Sequence, residues 1–336
     1  VACVKLDTPA GAPFMFRERN IESNPLDRIF RALLAQYNEH VASGTIHPEF
    51  PDTVKRNFDF GGELLMGHLR YGTQGKNDVD FCHPFIKRNT IPARNIALAG
   101  NFNLVNTDEL FALVNIDPGE FQKQSDLAAM MEVIHHFLGK ADEEKPDDLD
   151  VAGLLKKSVS LFDGGFTVGG LIGNGDAFVF RDAHGIRPAY YFANDEVVVA
   201  ASERAAIRTA FNVGENAVKE LMPGKALIVR ASGKVQEETL LPARERRACS
   251  FERIYFSRGS DEKIYKERTA LGYLLSEQVL TAINHDLKNA IFSFIPNTAE
   301  VAFYGLVKGV EDYLNRVKIE RILSWGDQLD EEKLSE

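Results

Sequence analysis

The chain has little cysteine, no surplus of positive charge and no long apolar run, and each shortage excludes a class of protein. Three cysteines in 336 residues are too few for a disulfide framework and do not have the spacing of a zinc site. Lysine and arginine total 39 against 49 aspartates and glutamates, so the net charge is −10, which disfavours a nucleic-acid-binding protein. No stretch approaches the roughly 18 apolar residues of a membrane span. The sequence therefore predicts a cytoplasmic protein without a nucleic-acid or membrane partner.

The length and the composition indicate a globular protein of two domains. Hydrophobic residues make up 44% of the chain, enough to bury a full core at this length. The pattern changes near a basic linker at residues 244–247. We therefore predict one domain at residues 1–245 and the start of a second at residues 246–336.

Short strands and helices alternate in the first domain. Apolar runs with strand character lie at residues 63–69, 96–99, 166–172, 177–180, 197–201 and 226–229, several of them joined by hairpin turns. Helical spacing of apolar residues is found at 26–37, from 126 and at 151–162. Residues 38–59 are polar and contain two prolines, which predicts an irregular surface excursion.

The second domain shows the order of strand and helix that is typical of a parallel α/β domain. A helix is predicted at 262–283, a buried strand at 290–295 and another helix at 298–314. We expect the chain to stop before that domain is complete.

Arg70 ends a predicted strand and is followed by a glycine-punctuated turn, Tyr71-Gly72-Thr73. Its planar guanidinium could bind a carboxylate. The alternative is a surface arginine that closes the strand.

Asn101, Asn103 and Asn106 cluster at the end of another predicted strand. An amide inside a core is costly unless it is hydrogen-bonded, and Asn101 with a neighbouring backbone N–H could form an oxyanion hole. The alternative is an asparagine-rich turn.

Asp126 stands at a predicted helix start, next to Ser125. Either residue could cap the helix. A carboxylate at this position could also bind an ammonium group, and the two roles are compatible.

Taken together, these segments resemble the glutamine-binding half of class II glutamine amidotransferases, which are N-terminal-nucleophile hydrolases. The family has Arg-Tyr-Ser-Thr, then His-Asn-Gly-Asn-Leu followed by Asn, then Ser-Asp before a helix. This chain has Arg70-Tyr71-Gly72-Thr73, Asn101-Phe102-Asn103-Leu104 with Asn106, and Ser125-Asp126 in the same order. The resemblance implies an α+β fold, a four-layer αββα sandwich followed by the start of an α/β phosphoribosyltransferase-type domain.

Later motifs narrow the resemblance to the amidophosphoribosyltransferase family. The turn from Arg181 to Pro188 is similar to that family's Arg-Asp-Pro-His-Gly-Ile-Arg-Pro, and we interpret it as structural rather than catalytic. Cys249-Ser250-Phe251-Glu252-Arg253 resembles the start of its interdomain signature. Cys249 matches a position that ligates an iron–sulfur cluster in one branch of the family. Because such a cluster needs about four thiolates, we do not expect one here.

The resemblance also implies roles for six residues. Arg70 would hold the α-carboxylate of glutamine and Asp126 its α-ammonium, while Thr73 and the Tyr71 backbone would line the same pocket. Asn101 and the Phe102 N–H would face the oxyanion of the tetrahedral intermediate. Phe102 replaces the family's glycine, and a left-handed backbone there would be strained.

In this family a cysteine at the mature N-terminus attacks the glutamine amide, with its own α-amino group as the base. Cys3 follows Val1 and Ala2, and we predict that it is a buried strand thiol. We therefore expect the nucleophile to lie upstream, in a longer protein of which this chain is an internal fragment that is inactive alone.

The implied reaction is glutamine-dependent conversion of phosphoribosyl pyrophosphate to phosphoribosylamine in purine biosynthesis. The resemblance further implies a homo-oligomer, and magnesium that accompanies the pyrophosphate substrate with ligands outside this chain. Two alternatives stay open: another class II glutamine amidotransferase, such as a glucosamine-phosphate synthase, and a non-catalytic paralogue that binds glutamine or a nucleotide.

Overall fold

The computed structural model describes residues 1–70, 78–114, 125–146 and 148–332. The chain divides into two compact units. The first comprises Val1–Ser202 and Val213–Ala248, and the second comprises Glu203–Asn212 and Cys249–Glu336. Among the described helices, none combines the length and apolar character that crossing a membrane requires.

The described part of the first unit combines short strands with five helices. The strands are β1 (Ala2–Val4), β2 (Met15–Arg17), β3 (Leu64–Met66), β4 (Phe85–Lys87), β5 (Ile96–Leu104), β6 (Gly164–Ile172), β7 (Ala177–Arg181), β8 (Tyr190–Ala193), β9 (Val198–Ala201), β10 (Lys219–Glu220), β11 (Lys225–Val229) and β12 (Val235–Thr239). The helices are α1 (Pro25–Ala42), α2 (Pro51–Asn57), α3 (Thr107–Leu113), α4 (Asp126–Glu144) and α5 (Val151–Val159). The α+β class predicted from the sequence is confirmed.

A six-stranded antiparallel sheet, in the order β12-β11-β7-β6-β5-β4, forms the centre of this unit. Side chains alternate between its two faces. On β5, Ile96, Leu98 and Leu104 pack against the apolar faces of α4 and α5 in the largest hydrophobic core. Helices α3, α4 and α5 therefore cover one face of the sheet.

Two three-stranded sheets contribute to the cores on the opposite face. The sheet β2-β1-β3 shares a core with Ala97 of β5 and Leu171 of β6. The sheet β10-β8-β9 shares another with Val179 of β7 and Leu227 of β11. The described contacts thus establish three layers: helices, then the six-stranded sheet, then the two three-stranded sheets on its other face.

The prediction of an irregular excursion at residues 38–59 is wrong in part. Helix α1 continues to Ala42, and Pro51 opens the short helix α2. Proline is compatible with the first turn of a helix, because the N–H that it lacks has no partner inside the helix at that position. Pro51 therefore starts a helix where the sequence pattern suggested only a break.

The second unit is helical in its described part. Its helices are α6 (Arg204–Phe211), α7 (Glu262–Ala282) and α8 (Glu300–Trp325). The predicted strand at 290–295 is wrong: these residues form no regular structure, and Ile291 and Ile295 are 97% and 84% exposed. A buried parallel strand needs neighbouring strands and covering helices, and the described part of this unit contains no other strand.

Candidate functional site

Strand β5 carries Asn101 and Phe102 in its second half, where β6 is the one strand among the described residues that pairs with it. Phe102 lies opposite Phe166 of β6, but Phe166 directs both its backbone N–H and its carbonyl to Asp182, at 3.2 and 2.9 Å. Because backbone groups alternate in direction along an antiparallel strand, the Phe102 N–H points away from β6. Strand β4 covers that side only as far as the pair Phe85–Leu98. We call this side of β5, at Gly100, Phe102 and Leu104, the open edge.

Phe102 has an extended backbone, because it lies within β5 and its φ is not positive. The backbone at Phe102 is therefore not left-handed, so phenylalanine is not strained at this position and its backbone N–H is retained. The Phe102 ring packs against the core that the helices cover. By alternation, the Asn101 side chain projects from the opposite face, on which Ala97 packs.

Asp126 is the first residue of α4 but does not cap it. The cap is Ser125, whose hydroxyl accepts from the Ala128 N–H at 3.2 Å. One carboxylate oxygen of Asp126, Oδ2, instead accepts from the Leu104 N–H at 2.8 Å. The capping alternative for Asp126 is therefore wrong, and its carboxylate is fixed on the open edge of β5.

The candidate oxyanion donor and the candidate ammonium acceptor thus share one edge. The N–H groups of Phe102 and Leu104 are two residues apart on an extended strand, so they point to the same side about 7 Å from each other. Leu104 anchors Asp126, while Phe102 presents its N–H in the direction of the same edge. A ligand carrying both a carbonyl and an ammonium could contact both groups.

Arg70 is half-buried, and its guanidinium carbon lies 5.9 Å from the centre of the Phe81 ring. Its positive charge helps to lower the pKa values of His68 and His83. The His83 ring in turn stacks on the Phe102 ring at 5.5 Å between centroids. Tyr71 and Thr73 lie outside the described residues.

Two histidines that sequence reasoning missed line this region. The rings of His68 and His83 are 4.3 Å apart, and the Nδ1 atom of each is buried and has no hydrogen-bond partner among the residues that the structure describes. Burial is the main cause that lowers the pKa of His68 to about 4 and that of His83 to about 2. His68 stands two residues before Arg70, so strand alternation could have placed both on one side, but nothing local in the sequence indicated His83.

These pKa values predict a loss of stability in acid. Unfolding returns His68 to a pKa of about 6.5, so below that pH the unfolded chain binds more protons than the folded chain. The contribution of His68 is complete above pH 6.5 and should be lost as the pH falls toward 4, by about 3 kcal/mol in total, with His83 adding in the same direction. Urea unfolding followed by circular dichroism at pH 7 and pH 4.5 measures this loss in the free energy of unfolding.

His68→Gln should flatten this pH dependence, whereas replacing the exposed histidine in His136→Gln should leave the slope as it is. Equal slopes in the parent chain and His68→Gln would contradict the burial of a neutral imidazole at position 68.

Cys3 does not have the environment of an activated nucleophile. Cys3 is fully buried in β1, which confirms the prediction of a strand thiol, and burial raises its pKa to about 11. Cys82 and Cys249 are half-buried. In the described part of the chain, no three histidine, cysteine, aspartate or glutamate side chains cluster so that they could hold a metal ion.

The turn from Arg181 to Pro188 is structural, as predicted. Arg181 is 1% exposed, and its guanidinium donates to the carbonyls of Arg187, Leu221 and Gly185 and to Glu220. The turn is thus held by buried hydrogen bonds.

Comparisons with solved structures identify the class of fold. The chain matches a glutamine phosphoribosylpyrophosphate amidotransferase from Bacillus subtilis, complexed with ADP and GMP, with a TM-score of 0.55 and 23% identity over 73% of this chain and 49% of that one. A structure of the allosteric regulatory enzyme of purine biosynthesis matches with the same TM-score and 24% identity, over 72% of this chain and 48% of that one. The fold is therefore that of an amidotransferase of this kind. No family model matches the chain.

The curated proteins that this chain resembles carry one specific name, amidophosphoribosyltransferase. The protein from Archaeoglobus fulgidus is 27% identical over 82% of this chain and 60% of its own length. The protein from Saccharomyces cerevisiae is 26% identical over 74% of this chain and 50% of its own length. The protein from Synechocystis is 31% identical over 65% of this chain and 43% of its own length. These matches confirm the resemblance that the motifs indicated. The chain spans about half the length of the curated relatives it matches.

Proposed function

We propose that this chain is the glutamine-binding half of an amidophosphoribosyltransferase. The observation that carries the proposal is the open edge of β5, where Asp126 is fixed beside a strand that carries the Phe102 N–H. The similarity to curated amidophosphoribosyltransferases supports it. In the whole protein, ammonia released from glutamine would displace pyrophosphate from phosphoribosyl pyrophosphate and give phosphoribosylamine for purine synthesis.

The chain's own residues would bind and polarise glutamine. Arg70 would pair with the α-carboxylate and Asp126 with the α-ammonium, with Tyr71 and Thr73 lining the pocket. The Asp126 oxygen Oδ2 is engaged by Leu104, so Oδ1 would accept from the ammonium. Asn101 and the Phe102 N–H would stabilise the oxyanion as the amide carbonyl becomes tetrahedral.

Several parts of the proposal concern the whole protein. It includes a four-layer αββα arrangement with the functional boundary at residues 245/246, a homo-oligomer and a cytoplasmic location. Magnesium would bind with the pyrophosphate substrate through ligands outside this chain, and the attacking cysteine would not be Cys3.

Glutamine binding by this chain is the direct test. Calorimetry should show saturable binding of L-glutamine, and Arg70→Gln and Asp126→Asn should each weaken it at least about tenfold, because each removes one charge complementary to the zwitterion. Asparagine at 126 can still accept from the Leu104 N–H, so the edge should stay folded. The exposed residues Arg56 and Asp108 provide matched controls, Arg56→Gln and Asp108→Asn, which should bind like the parent.

Two analogues assign the charges separately. Glutaramate lacks the α-ammonium, so Asp126→Asn should not weaken its binding, whereas 4-aminobutanamide lacks the α-carboxylate and should be insensitive to Arg70→Gln. No saturable binding of L-glutamine, or equal binding by parent and both variants, would contradict the proposal. In the natural protein that contains this chain, glutamine binding without turnover would favour the non-catalytic paralogue.

A further inference from the structure

Asn106 lies between β5 and α3, at the position where an asparagine side chain commonly caps a helix. Its side chain makes no hydrogen bond to the first turn of α3, all of which the structure describes. The amide instead bonds to the turn at residues 161–163, which precedes β6. Nδ2 donates to the Leu161 carbonyl at 2.9 Å, and Oδ1 accepts from the Asp163 N–H at 3.1 Å. Both ends of the amide therefore bind this turn and not the helix.

A main-chain bond joins the same turn to β5. The Val105 N–H donates to the Asp163 carbonyl at 3.0 Å. This bond lies one residue beyond the last β5–β6 pair, Leu104–Gly164. The backbone of Asp163 thus accepts from Val105 and donates to the side chain of Asn106. Together these bonds extend the pairing of the two strands past Leu104, and Asn106 closes the end of the ladder.

Gly164 allows the two strands to approach closely at this end. Its φ is +142°, and a Cβ added to it would lie 2.1 Å from the Asn103 carbonyl oxygen and 2.9 Å from the Leu104 Cα atom. Both are backbone atoms of β5, which cannot yield as a flexible side chain does, so the position requires glycine. The backbone of β5 at Leu104 therefore lies directly against the start of β6, and a shift of the turn would move it.

Leu104 connects this end of β5 with the candidate ammonium acceptor. Its N–H points away from β6 and donates to Asp126 Oδ2 at 2.8 Å. The next N–H along the strand, that of Val105, points toward β6 and is held by the turn. The direction of the Leu104 N–H thus depends on bonds made on the opposite side of the strand. The carboxylate of Asp126 follows that direction.

We propose that Asn106 is a positioning residue for the α-ammonium of glutamine. By bonding to the turn at residues 161–163 it fixes the end of β5, and the Leu104 N–H then fixes the carboxylate of Asp126. The inference rests on the proposed function, and Asn106 acts through Leu104 and Asp126 without touching the substrate. The ammonium contact is present in the bound substrate and in the transition state alike. Its disturbance should therefore raise KM and leave kcat nearly unchanged.

The first test uses this chain and requires no ligand. In Asn106→Ser the residue can still cap α3, but its side chain is too short to reach the turn. The Leu104 amide should then exchange with deuterium at least about tenfold faster than in the parent, because its bond to Asp126 opens more often. Asn38→Ser, at an exposed position of α1, is the matched control and should leave this rate unchanged. Parental exchange of the Leu104 amide in Asn106→Ser would overturn the inference.

The second test compares two ligands by calorimetry. Asn106→Ser should weaken the binding of L-glutamine about 5- to 10-fold, and that of glutaramate, which lacks the α-ammonium, by less than about twofold. Asn106→Leu removes both bonds at similar volume and should give the same contrast. In an Asp126→Asn background, Asn106→Ser should cause no further loss of L-glutamine binding, because the charge that it positions is already gone. Equal weakening of both ligands, or the full loss in the Asp126→Asn background, would contradict the positioning role.

Glutamine hydrolysis by the natural protein that contains this chain distinguishes the two proposals. Asn106→Ser should raise KM for glutamine about 5- to 10-fold and leave kcat within about twofold. Parental KM and kcat in Asn106→Ser overturn the role of Asn106 alone. No saturable binding of L-glutamine by the parent overturns the proposed function and with it the ammonium as the group served, whereas the exchange of the Leu104 amide still decides whether Asn106 fixes the end of β5.

Discussion

Arg181→Met should lower the free energy of unfolding of the first unit by about 3–5 kcal/mol. Arg181 is 1% exposed and bonds to Glu220 at 2.8 Å and to the Leu221 carbonyl at 2.7 Å, with two further carbonyls on its guanidinium. Methionine fills similar space but leaves these buried acceptors without donors, and breaking a buried ion pair from one side has a cost of this size. Hydrogen exchange of the β6 and β7 amides measures the free energy of unfolding of the first unit.

Arg246→Met is the matched control, because Arg246 binds the same Glu220 oxygen at 2.6 Å from a side chain that is 46% exposed. Exposed ion pairs contribute about 0–1 kcal/mol, so this variant should stay close to the parent. Arg181→Lys should fall between the two, since it keeps the charge but loses the fork that serves several carbonyls. Equal stability of Arg181→Met and Arg246→Met would contradict the buried network.

Gly272→Ala should destabilise the second unit by about 3 kcal/mol, at the upper end of overpacking effects. Helices α7 and α8 approach so closely that a Cβ at Gly272 would overlap the Ala302 carbonyl oxygen, and one at Gly305 would overlap that of Thr269. Backbone cannot yield as a flexible side chain does, so the helices would have to separate. Trp325, the one tryptophan in the chain, lies at the end of α8 and reports the unfolding of this unit by fluorescence.

Gly139→Ala provides the comparison, because Gly139 is also helical but a Cβ added there would have no neighbour within 4 Å. Alanine there should stabilise α4 by roughly 0.5–1 kcal/mol through helix propensity alone. If Gly272→Ala unfolds at the same urea concentration as the parent, the close packing of α7 on α8 is wrong.

Sequence patterns predicted six of the twelve described strands and three of the five helices of the first unit, those whose apolar residues follow simple periodicities. The run that begins at Ile96 and the stripe of apolar residues in α4 both became core. The predicted strand at 96–99 was too short, since β5 continues through Asn101 and Phe102 to Leu104. Polar residues ended the apolar pattern, but the backbone bonds to β6 continued, and only the pairing of the strands shows that.

At residues 290–295 the sequence predicted a strand that the structure does not contain, whereas at β5 it predicted too short a strand. An apolar run can be a buried strand or an exposed segment, and the choice depends on neighbours that the run itself does not specify. His83 is a similar case. Its contacts with His68 and Phe102 join residues far apart in the chain, so no local motif indicated them.

The sequence by itself determined the α+β class and the resemblance to amidophosphoribosyltransferases, and it predicted candidate residues for a glutamine site, because these depend on composition, short periodicities and motifs in order. Only the tertiary structure decided that Ser125, not Asp126, caps α4, that Phe102 is extended, and that the His83 ring packs against the rings of His68 and Phe102. Hydrogen-bond partners and burial are set by which strands and helices meet in space. For that reason the chemistry of Asp126 became apparent only when β5 and α4 were seen together.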